Sequence, residues 1–444
     1  MGDFMQIPKE FEERMKNIIP NYEKFKKELE NENIKGIKIN TNKITSEEFK
    51  KIFPYKIEPV PYAKDSFYLK ENIKIGNHPY HHAGLFYSQD PGAAAPINSV
   101  EIKDDYKVLD LCASPGGKSI QIALQLKKGF LISNEINNKR AQILYSNIER
   151  MGLTNVMITN DNVESLKKAY QGYFDLVLID APCSGEGMFR KNDEAIKNWS
   201  IDNINLCVKR QKEILDQASK MPKENGYILY STCTYEKSEN EDIIEWFTKN
   251  YNYEVKELKN IEKFTEKGLK PIEKSRRFYP HLSKGEGQFM CLLQNKNKIT
   301  EQLETKEANK PTNSQQKIID EFMKNVDISL DIRIENNKLF VPVTNIPKNV
   351  HIISSGVQIG ELKENYIIPN HYFFKAYGNY FKNKCNLKID DERILKYLKG
   401  EEIEADVKDG WGVITLDNYP LGGYKKSNNK LKNHYPKGLR NICH

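Results

Sequence analysis

The stretch Val108-Leu109-Asp110-Leu111-Cys112-Ala113-Ser114-Pro115-Gly116-Gly117-Lys118 decides the fold. A run of strand type leads directly into a glycine-rich turn, and a helical pattern follows from Lys118 to Leu126. In such a unit the helix N-terminus offers unpaired backbone N–H groups to a ligand. The stretch therefore predicts the first strand, turn and helix of a Rossmann-like α/β domain with a ligand site at the turn.

Strand and helix patterns alternate from about residue 101 to 296. The predicted strands are Val108–Leu111, Phe130–Glu135, Val156–Thr159, Phe174–Ile179, Gly226–Ser231 and Gln288–Gln294. The predicted helices are Lys118–Leu126, Asn138–Met151, Ile204–Met221 and Glu239–Lys249. Alternation of this kind predicts a parallel, doubly wound sheet.

The turn at Pro115-Gly116-Gly117-Lys118 has neither the Gly-x-Gly-x-x-Gly spacing of dinucleotide sites nor the earlier glycine of a P-loop. Glu135, which ends the second strand, could accept hydrogen bonds from both ribose hydroxyls, and Asp161 could reach an adenine edge. Either carboxylate alone fits a solvated loop, but their places at successive strand ends favour an adenosyl pocket. A pocket without a pyrophosphate clamp suits S-adenosylmethionine. Its predicted residues are Asp110, Cys112, Ala113, Ser114, Pro115, Gly116, Gly117, Lys118, Glu135, Asp161 and Asp180.

Two cysteines occupy matched positions after strand-type runs. Cys183 lies in Asp180-Ala181-Pro182-Cys183-Ser184-Gly185, and Cys233 lies in Tyr230-Ser231-Thr232-Cys233-Thr234-Tyr235. Ligands of open α/β sheets bind outside the carboxyl ends of the strands, so both thiols should reach one crevice. Two thiols and an aspartate beside a nucleotide-type site suggest covalent chemistry on an electron-poor ring. For one cysteine alone, an inert buried side chain is the default interpretation.

These two thiol segments, together with Cys112–Lys118, resemble the RNA (cytosine-C5) methyltransferases of the Sun/NSUN type. The segment Leu431–Arg440 resembles the tail of the bacterial RsmF branch, and Ser114 stands where the family commonly has Ala. The resemblance implies S-adenosylmethionine-dependent methylation of cytosine C5 in small-subunit (16S) ribosomal RNA. It assigns attack at C6 to Cys233 and product release to Cys183. Asp180 can contact the N3/N4 edge of the base.

Two alternatives are a tRNA cytosine-C5 methyltransferase and an RNA-binding ribosome assembly factor with little catalysis. The segment Pro182-Cys183-Ser184-Gly185 in place of Pro-Cys-Gln, with the added Thr232-Cys233-Thr234, favours RNA over DNA. Asp180-Ala181-Pro182-Cys183 also differs from the Asn/Asp-Pro-Pro-aromatic tetrad of amino-methyltransferases. All catalytic positions are filled, which counts against an inert binder.

The regions around the catalytic domain suggest contacts with RNA. Residues 418–444 contain no Asp or Glu but six Lys or Arg residues, interleaved with tyrosines and a histidine that could stack on unpaired bases. Arg190-Lys191 either meets the target backbone or is a solvated loop pair. The predicted domains are an α+β N-terminal RNA-binding module (1–100), the methyltransferase domain (101–296), a linker (297–316), a first C-terminal domain (317–380) and a β-rich PUA-like RNA-binding domain (381–444).

Composition narrows the class of protein further. The chain has 444 residues and a net charge of +7, which favours an anionic partner. Its seven cysteines include no Cys-x-x-Cys pair, and the histidines at 78, 81 and 82 have no further ligand at metal spacing. No signal peptide or membrane-length apolar stretch is present. We expect a soluble, cytoplasmic monomer with no metal and no membrane contact, and ribosomal RNA or the 30S subunit as its partner.

Overall fold

A computed structural model of the chain describes residues 7–71 and 73–440. The end of the predicted basic tail, residues 441–444, lies outside the described residues.

The N-terminal module combines five helices with a four-stranded antiparallel sheet of order β2-β3-β1-β4. The helix α3 begins with a capping box, in which Thr45 and Glu48 satisfy each other's backbone N–H groups. The helices are α1 (Lys9–Lys16), α2 (Tyr22–Leu29), α3 (Ser46–Ile52), α4 (Pro79–His82) and α5 (Pro91–Asn98), and the strands are β1 (Gly36–Ile39), β2 (Ile57–Pro59), β3 (Ser66–Leu69) and β4 (Phe86–Ser88).

The catalytic domain follows with the predicted alternation of strands and helices. Its strands are β5 (Lys107–Asp110), β6 (Phe130–Asn134), β7 (Val156–Thr159), β8 (Tyr170–Gln171), β9 (Phe174–Asp180), β10 (Pro222–Thr232), β11 (Tyr253–Lys256), β12 (Glu266–Lys267), β13 (Arg276–Phe278) and β14 (Gln288–Asn295). Its helices are α6 (Gly117–Gln125), α7 (Asn138–Met151), α8 (Val163–Ala169), α9 (Asp193–Lys197), α10 (Ile201–Ala218) and α11 (Glu241–Asn250).

The C-terminal part is rich in strands. Its first section contains β15 (Gln302–Leu303), β16 (Thr305–Lys306), α12 (Asn313–Met323), β17 (Arg333–Glu335), β18 (Lys338–Pro342), β19 (Ile346–Pro347), β20 (Ile352–Ser354), β21 (Gly356–Leu362), β22 (Ile367–Pro369) and α13 (His371–Tyr377). A five-stranded sheet of order β23-β25-β26-β27-β24 follows. It is built from β23 (Lys384–Leu387), α14 (Glu392–Lys399), β24 (Ile403–Glu404), β25 (Gly410–Leu416), β26 (Tyr419–Ser427) and β27 (Lys430–Asn433).

The central sheet has ten strands, in the order β12-β13-β14-β10-β9-β5-β6-β7-β20, with β11 pairing beside β14. The strands β10, β9, β5, β6 and β7 are parallel, as predicted. β14 pairs antiparallel with β10, and β20 pairs antiparallel with β7. The Rossmann-like domain is therefore confirmed, but the sheet is mixed, because apolar runs reveal buried strands without revealing their direction.

The first C-terminal domain contributes a strand to this catalytic sheet. β20 covers the edge of β7, and Asn160 N–H donates to the His351 carbonyl beside it. The helix α13 packs on α7, where the fully buried Tyr372 donates its hydroxyl to the Leu153 carbonyl. The methyltransferase domain thus depends on residues far beyond its own predicted boundary.

The predicted linker, residues 297–316, is partly ordered. β15 pairs with β8 of the catalytic domain, and β16 pairs with β19. The helix α12 begins at Asn313, with a capping box at Thr312. Backbone pairing can hold a polar segment that lacks apolar side chains, so composition alone did not reveal these short strands.

The N-terminal module meets both C-terminal domains around Lys375 of α13. Its buried ammonium group donates to the carbonyl of His82 at 2.7 Å and to that of Pro420 at 2.9 Å. The Tyr435 hydroxyl lies 2.7 Å from Nδ1 of His82, and Tyr80 donates to Asp417 at 2.9 Å. Apolar residues of the N-terminal module and of the second C-terminal domain also form one buried cluster.

We expect Tyr372→Ala to lower the free energy of unfolding of the catalytic domain by about 3–5 kcal/mol, because removing a buried aromatic ring leaves a cavity. The matched control is Tyr366→Ala, whose side chain is 58% exposed and whose loss should change stability by less than about 0.5 kcal/mol. Thermal unfolding measures the stability of both variants. Hydrogen exchange of the α7 amides then shows whether the loss of stability reaches that helix. Equal stability of the two variants would mean that α13 and α7 are not thermodynamically coupled.

Candidate active site

Parallel pairing of β9 and β10 brings the two cysteine loops to one edge of the sheet. Asp180 stands opposite Ser231 in register, and each strand then ends in its cysteine loop. The Sγ atoms of Cys183 and Cys233 are 3.1 Å apart. The structure therefore brings the two predicted thiols into contact.

The two thiols differ in their surroundings. The backbone N–H of Cys233 donates to the Cys183 sulfur at 3.3 Å. The hydrogen bond with the Cys233 thiol and burial both raise the pKa of Cys183 well above its ordinary value. Two thiols in contact do not both ionise, so the Cys183 environment favours a neutral thiol beside Cys233.

A cavity of about 380 Å³ lies along the first strand and turn of the catalytic domain. Of the predicted site residues, those that line it are Asp110, Cys112, Ala113, Ser114, Pro115, Gly117, Lys118, Asp180 and Cys233. Gly116 has a φ of +114°, a backbone conformation that side chains rarely adopt, so the turn needs glycine at this position. Further lining residues that sequence reasoning missed include Tyr87, Gln89, Arg140, Met188 and Gln288.

Asp180 is held from two sides in this cavity. The ammonium group of Lys118 lies 2.7 Å from its Oδ2, and the Ser231 hydroxyl donates to its Oδ1 at 2.6 Å. The Lys118 side chain is only 9% exposed, so its charge acts at short range with little solvent screening. Ser231, on β10, and Lys118, in the first turn of α6, therefore hold the Asp180 carboxylate from two different elements.

Asp110 is a buried carboxyl in the cavity wall. Ser119 donates to its Oδ2 at 2.7 Å, while Oδ1 has no hydrogen bond of normal geometry and the backbone of Cys112 acts on the carboxyl from its own loop. Burial raises the pKa of Asp110 to about 7. A buried acceptor without a hydrogen bond of normal geometry at this position fits a cationic or hydrogen-bond-donating ligand, which agrees with the charged sulfonium cofactor predicted from the sequence.

Glu135, Asp161 and Gly116 do not line this cavity. Glu135 is buried, accepts from the Asn137 N–H at 3.0 Å and has the Arg140 guanidinium 3.6 Å away. Asp161 accepts from the backbone of Asn162 at 2.8 Å and of His351 at 3.0 Å. His351 lies in the first C-terminal domain, so the sequence around Asp161 gave no sign of this contact.

A second cavity, of about 580 Å³, borders the Cys183 loop. Cys183 lines it together with Ser184, Gly185 and three asparagines, while Met188 lines both cavities. Cys233 therefore faces the first cavity and Cys183 faces the second. The contact between the two sulfur atoms is where a residue lining one cavity touches a residue lining the other.

Two buried glutamates connect the cysteine loops. Glu186, which follows Cys183, accepts from the Thr234 hydroxyl at 2.8 Å and from the Tyr235 N–H at 3.0 Å. Glu239, which follows Cys233, accepts from the Ser184 N–H at 2.9 Å. Sequence reasoning missed both residues; the only available signal was an acidic residue shortly after each cysteine.

Arg190 and Lys191 are not free to meet a nucleic-acid backbone. The Arg190 guanidinium is buried and donates to Glu286 at 3.1 Å and to the Glu28 carbonyl at 3.2 Å. Lys191 pairs with Asp90 at 2.7 Å. Both interpretations offered for this pair are therefore wrong, because partners distant in sequence fold over it.

Residues 7–71 and 73–440 lack two other kinds of feature. Within these ranges, no group of three or more His, Cys, Asp or Glu side chains is arranged to hold a metal ion. No helix of the described chain is long and apolar enough to cross a membrane.

Comparison with protein families covers all three parts of the chain. Residues 7–91 match the N-terminal domain of 16S rRNA methyltransferase RsmF, and residues 98–294 match 16S rRNA methyltransferase RsmB/F. Residues 375–441 match the PUA domain of methyltransferase RsmF. The order of these domains agrees with the order predicted from the sequence.

Individual relatives extend over nearly the whole chain. Ribosomal RNA small subunit methyltransferase F of Shewanella oneidensis is 30% identical over 432 residues, covering 91% of this chain and 90% of that protein. The protein of the same name from Psychromonas ingrahamii is 28% identical and covers 98% and 97%. A solved methyltransferase homologue from Pyrococcus horikoshii is 25% identical with a TM-score of 0.58, covering 66% of this chain and 96% of that one. NSun6 from Pyrococcus horikoshii, solved with SFG, shares the fold at 20% identity and a TM-score of 0.58, covering 66% and 100%.

The fold and the site define an RNA methyltransferase that uses S-adenosylmethionine. The Rossmann-like domain and the C-terminal PUA domain are those that the sequence predicted. The chain belongs to the ribosomal RNA small subunit methyltransferase F family.

The buried carboxyl of Asp110 predicts a pH-dependent stability. Its folded-state pKa of about 7 lies above the unfolded value of about 3.9, so the folded state binds the extra proton and stability falls as pH rises between these values. We expect Asp110→Asn to be more stable than the parent protein at pH 8, by at most about 4 kcal/mol, and the difference to vanish near pH 4.

Thermal unfolding of the cofactor-free protein across this pH range measures the effect. The exposed Asp105→Asn is the matched control and should follow the parent protein at every pH. In calorimetry, Asp110→Asn should also bind S-adenosylmethionine more weakly. A variant with the parent protein's pH dependence would remove Asp110 as the titrating group.

Proposed function

We propose that this protein methylates C5 of cytosine in small-subunit ribosomal RNA through a covalent bond between Cys233 and C6. The observation that carries the proposal is the contact of the two thiols at 3.1 Å, with Cys233 beside the cofactor cavity and Cys183 beside the second cavity. A single cysteine could be an inert core residue. Two cysteines in contact, each lining a different cavity, suit attack and release on one base.

The thiolate of Cys233 adds to C6, and the C5=C6 double bond becomes an enamine that is nucleophilic at C5. Bound S-adenosylmethionine supplies the electrophilic methyl group. After C5 has gained the methyl carbon, a base removes the C5 proton, and the electron pair restores the double bond as the C6–S bond breaks. The Cys183 thiol, 3.1 Å from the departing sulfur, is placed to protonate it.

The residues proposed to hold the cofactor are those of the Cys112–Lys118 turn with Asp110, Glu135 and Asp161. The Oδ1 of Asp110, which has no hydrogen bond of normal geometry, supports this assignment, because a cationic group would satisfy it. Glu135 and Asp161 stand after successive parallel strands, where ribose and adenine groups bind in such sheets.

Asp180 is the proposed contact for the N3/N4 edge of the target cytosine. Lys118 and Ser231 fix its carboxylate in the cavity that Cys233 also lines. A carboxylate at the N3/N4 edge favours a protonated N3, and a protonated ring accepts the thiolate more readily at C6.

Ribosomal RNA is the proposed target because of the family and of the basic C-terminal surface. Lys425, Lys430, Lys432 and Lys437 lie on or beside β26 and β27, and the ammonium group of Lys425 lies 5.4 Å from the centre of the Trp411 ring. Cations that neutralise phosphates and an aromatic face that stacks on a base are typical of RNA binding. We further propose that the protein acts as a monomer in the cytoplasm.

We expect Cys233→Ala to abolish methylation, because no enamine forms without attack at C6. Cys183→Ala should accumulate a covalent protein–RNA adduct that survives SDS, because attack proceeds and release is impaired. Cys385→Ala, which removes a buried thiol of the C-terminal domain, is the matched control and should form methylated product.

Bisulfite sequencing of 16S rRNA and of tRNA, each incubated with S-adenosylmethionine and the protein, identifies the modified base and the RNA. An adduct formed by Cys233→Ala and not by Cys183→Ala would reverse the two roles. Modification of tRNA alone would replace the proposed substrate, and no transfer to any RNA would favour an assembly factor.

A further inference from the structure

The two cysteine loops are held together by a reciprocal pair of buried carboxyls. Glu186 lies on the Cys183 loop and binds the Cys233 loop, whereas Glu239 lies beyond Cys233 and binds the Cys183 loop. The exposed fractions of Glu186 and Glu239 are 1% and 0%. The hydroxyls of Ser184 and Thr234, 2.9 Å apart, join the two carboxyls. We call these four side chains the carboxyl clasp.

The protons available to the clasp decide whether one of its carboxyls is neutral. Four oxygens lie in a row, namely Glu239 Oε2, Ser184 Oγ, Thr234 Oγ1 and Glu186 Oε2, with three hydrogen-bond contacts between them. Three contacts need three protons, and the two hydroxyls supply only two. For all three contacts to be hydrogen bonds, the third proton has to sit on Glu186 or Glu239.

The other donors around each carboxyl decide which one carries it. Glu186 accepts N–H groups at both oxygens, from Trp199 at 2.9 Å and from Tyr235 at 3.0 Å. Glu239 accepts both of its N–H donors at Oε1, from Ser184 at 2.9 Å and from Gln211 at 3.0 Å. Its Oε2 meets the Ser184 hydroxyl without an N–H donor. Glu186 is thus arranged as a carboxylate, and Glu239 as a carboxylic acid whose O–H points to Ser184.

We propose that Glu239 is a neutral acid that positions the two catalytic thiols, its proton running through Ser184 and Thr234 to the ionised Glu186. The proposal rests on the function proposed above, for which both thiols are needed at one base. With the proton, the loops are joined by an unbroken chain of hydrogen bonds. Without it, two buried carboxylates repel each other across the pair of hydroxyls and the loops separate.

The groups that face the clasp favour retention of this proton. Burial raises the pKa of Glu239, and it raises the pKa of Glu186 to about 7. Glu236 adds negative charge near both carboxyls, and Arg14, paired with Glu236 at 2.6 Å, is the cation that faces Glu186. Neutral titratable groups complete the surroundings, namely Cys183, Cys207, Tyr230 and Tyr235.

The test compares Glu239→Gln, Glu239→Ala and Glu186→Gln in the full-length protein. A glutamine at 239 can place its N–H where the acid O–H stood, whereas a glutamine at 186 turns an N–H toward the Trp199 or Tyr235 donor. We expect Glu239→Ala and Glu186→Gln to lower kcat for rRNA methylation at least about tenfold with little change in KM, because buried donors lose their acceptors. Glu239→Gln should recover most of the kcat lost by Glu239→Ala.

The pH profile separates a shared proton from ordinary packing. Activity of the parent protein should fall on the alkaline side as Glu239 ionises, and Glu239→Gln should lose that alkaline limb. Glu149→Gln is the matched control: burial raises the pKa of this carboxyl, as it raises that of Glu239, but Glu149 accepts from Tyr145 on α7, away from the thiols. Its variant should keep the alkaline limb.

Infrared difference spectra of the RNA-free protein test the proton independently of the catalytic function. The spectrum of the parent minus Glu239→Gln should show a carboxylic-acid band, and that of the parent minus Glu186→Gln a carboxylate band. The reverse pattern, or carboxylate bands in both, would overturn the proposal even if Cys233 proves to be the nucleophile. If these bands are found and Cys233→Ala still methylates, the proposed function fails while the clasp stands.

Discussion

The parallel register between β9 and β10 is the constraint on which the site depends. It sets Asp180 opposite Ser231, and each strand is followed by its cysteine loop at the same edge of the sheet. A register slip of one residue would turn the alternating side chains of a strand to its other face. The contact of the two thiols and the hydrogen bond from Ser231 to Asp180 are thus consequences of backbone pairing.

Sequence reasoning succeeded where the signal is local. The apolar runs located the five parallel strands, and the glycine-rich turn located the start of α6. The cysteine loops could be assigned to one crevice because parallel strands point the same way. Contacts between distant segments were beyond such reasoning. Arg190 donates to Glu286, and Asp161 accepts from His351 of the first C-terminal domain.

The carboxyl clasp also escaped prediction, for a different physical reason. Glu186 and Glu239 look like ordinary polar loop residues, and only burial makes their charge costly and their hydrogen bonds strong. Polar networks of this kind specify one arrangement of loops, because every buried donor and acceptor must find its partner. Apolar packing alone would tolerate several arrangements of the same loops.

The antiparallel strand β20 has a consequence for how the chain is made. Synthesis runs from the N-terminus, so β7 emerges from the ribosome almost two hundred residues before the strand that covers its edge. During that interval the nascent sheet presents an unpaired edge, the kind of surface to which other chains attach. Domains usually fold in order of synthesis, but here a late segment finishes an early one. The chain that modifies ribosomal RNA is thus itself incomplete until most of it has left the ribosome.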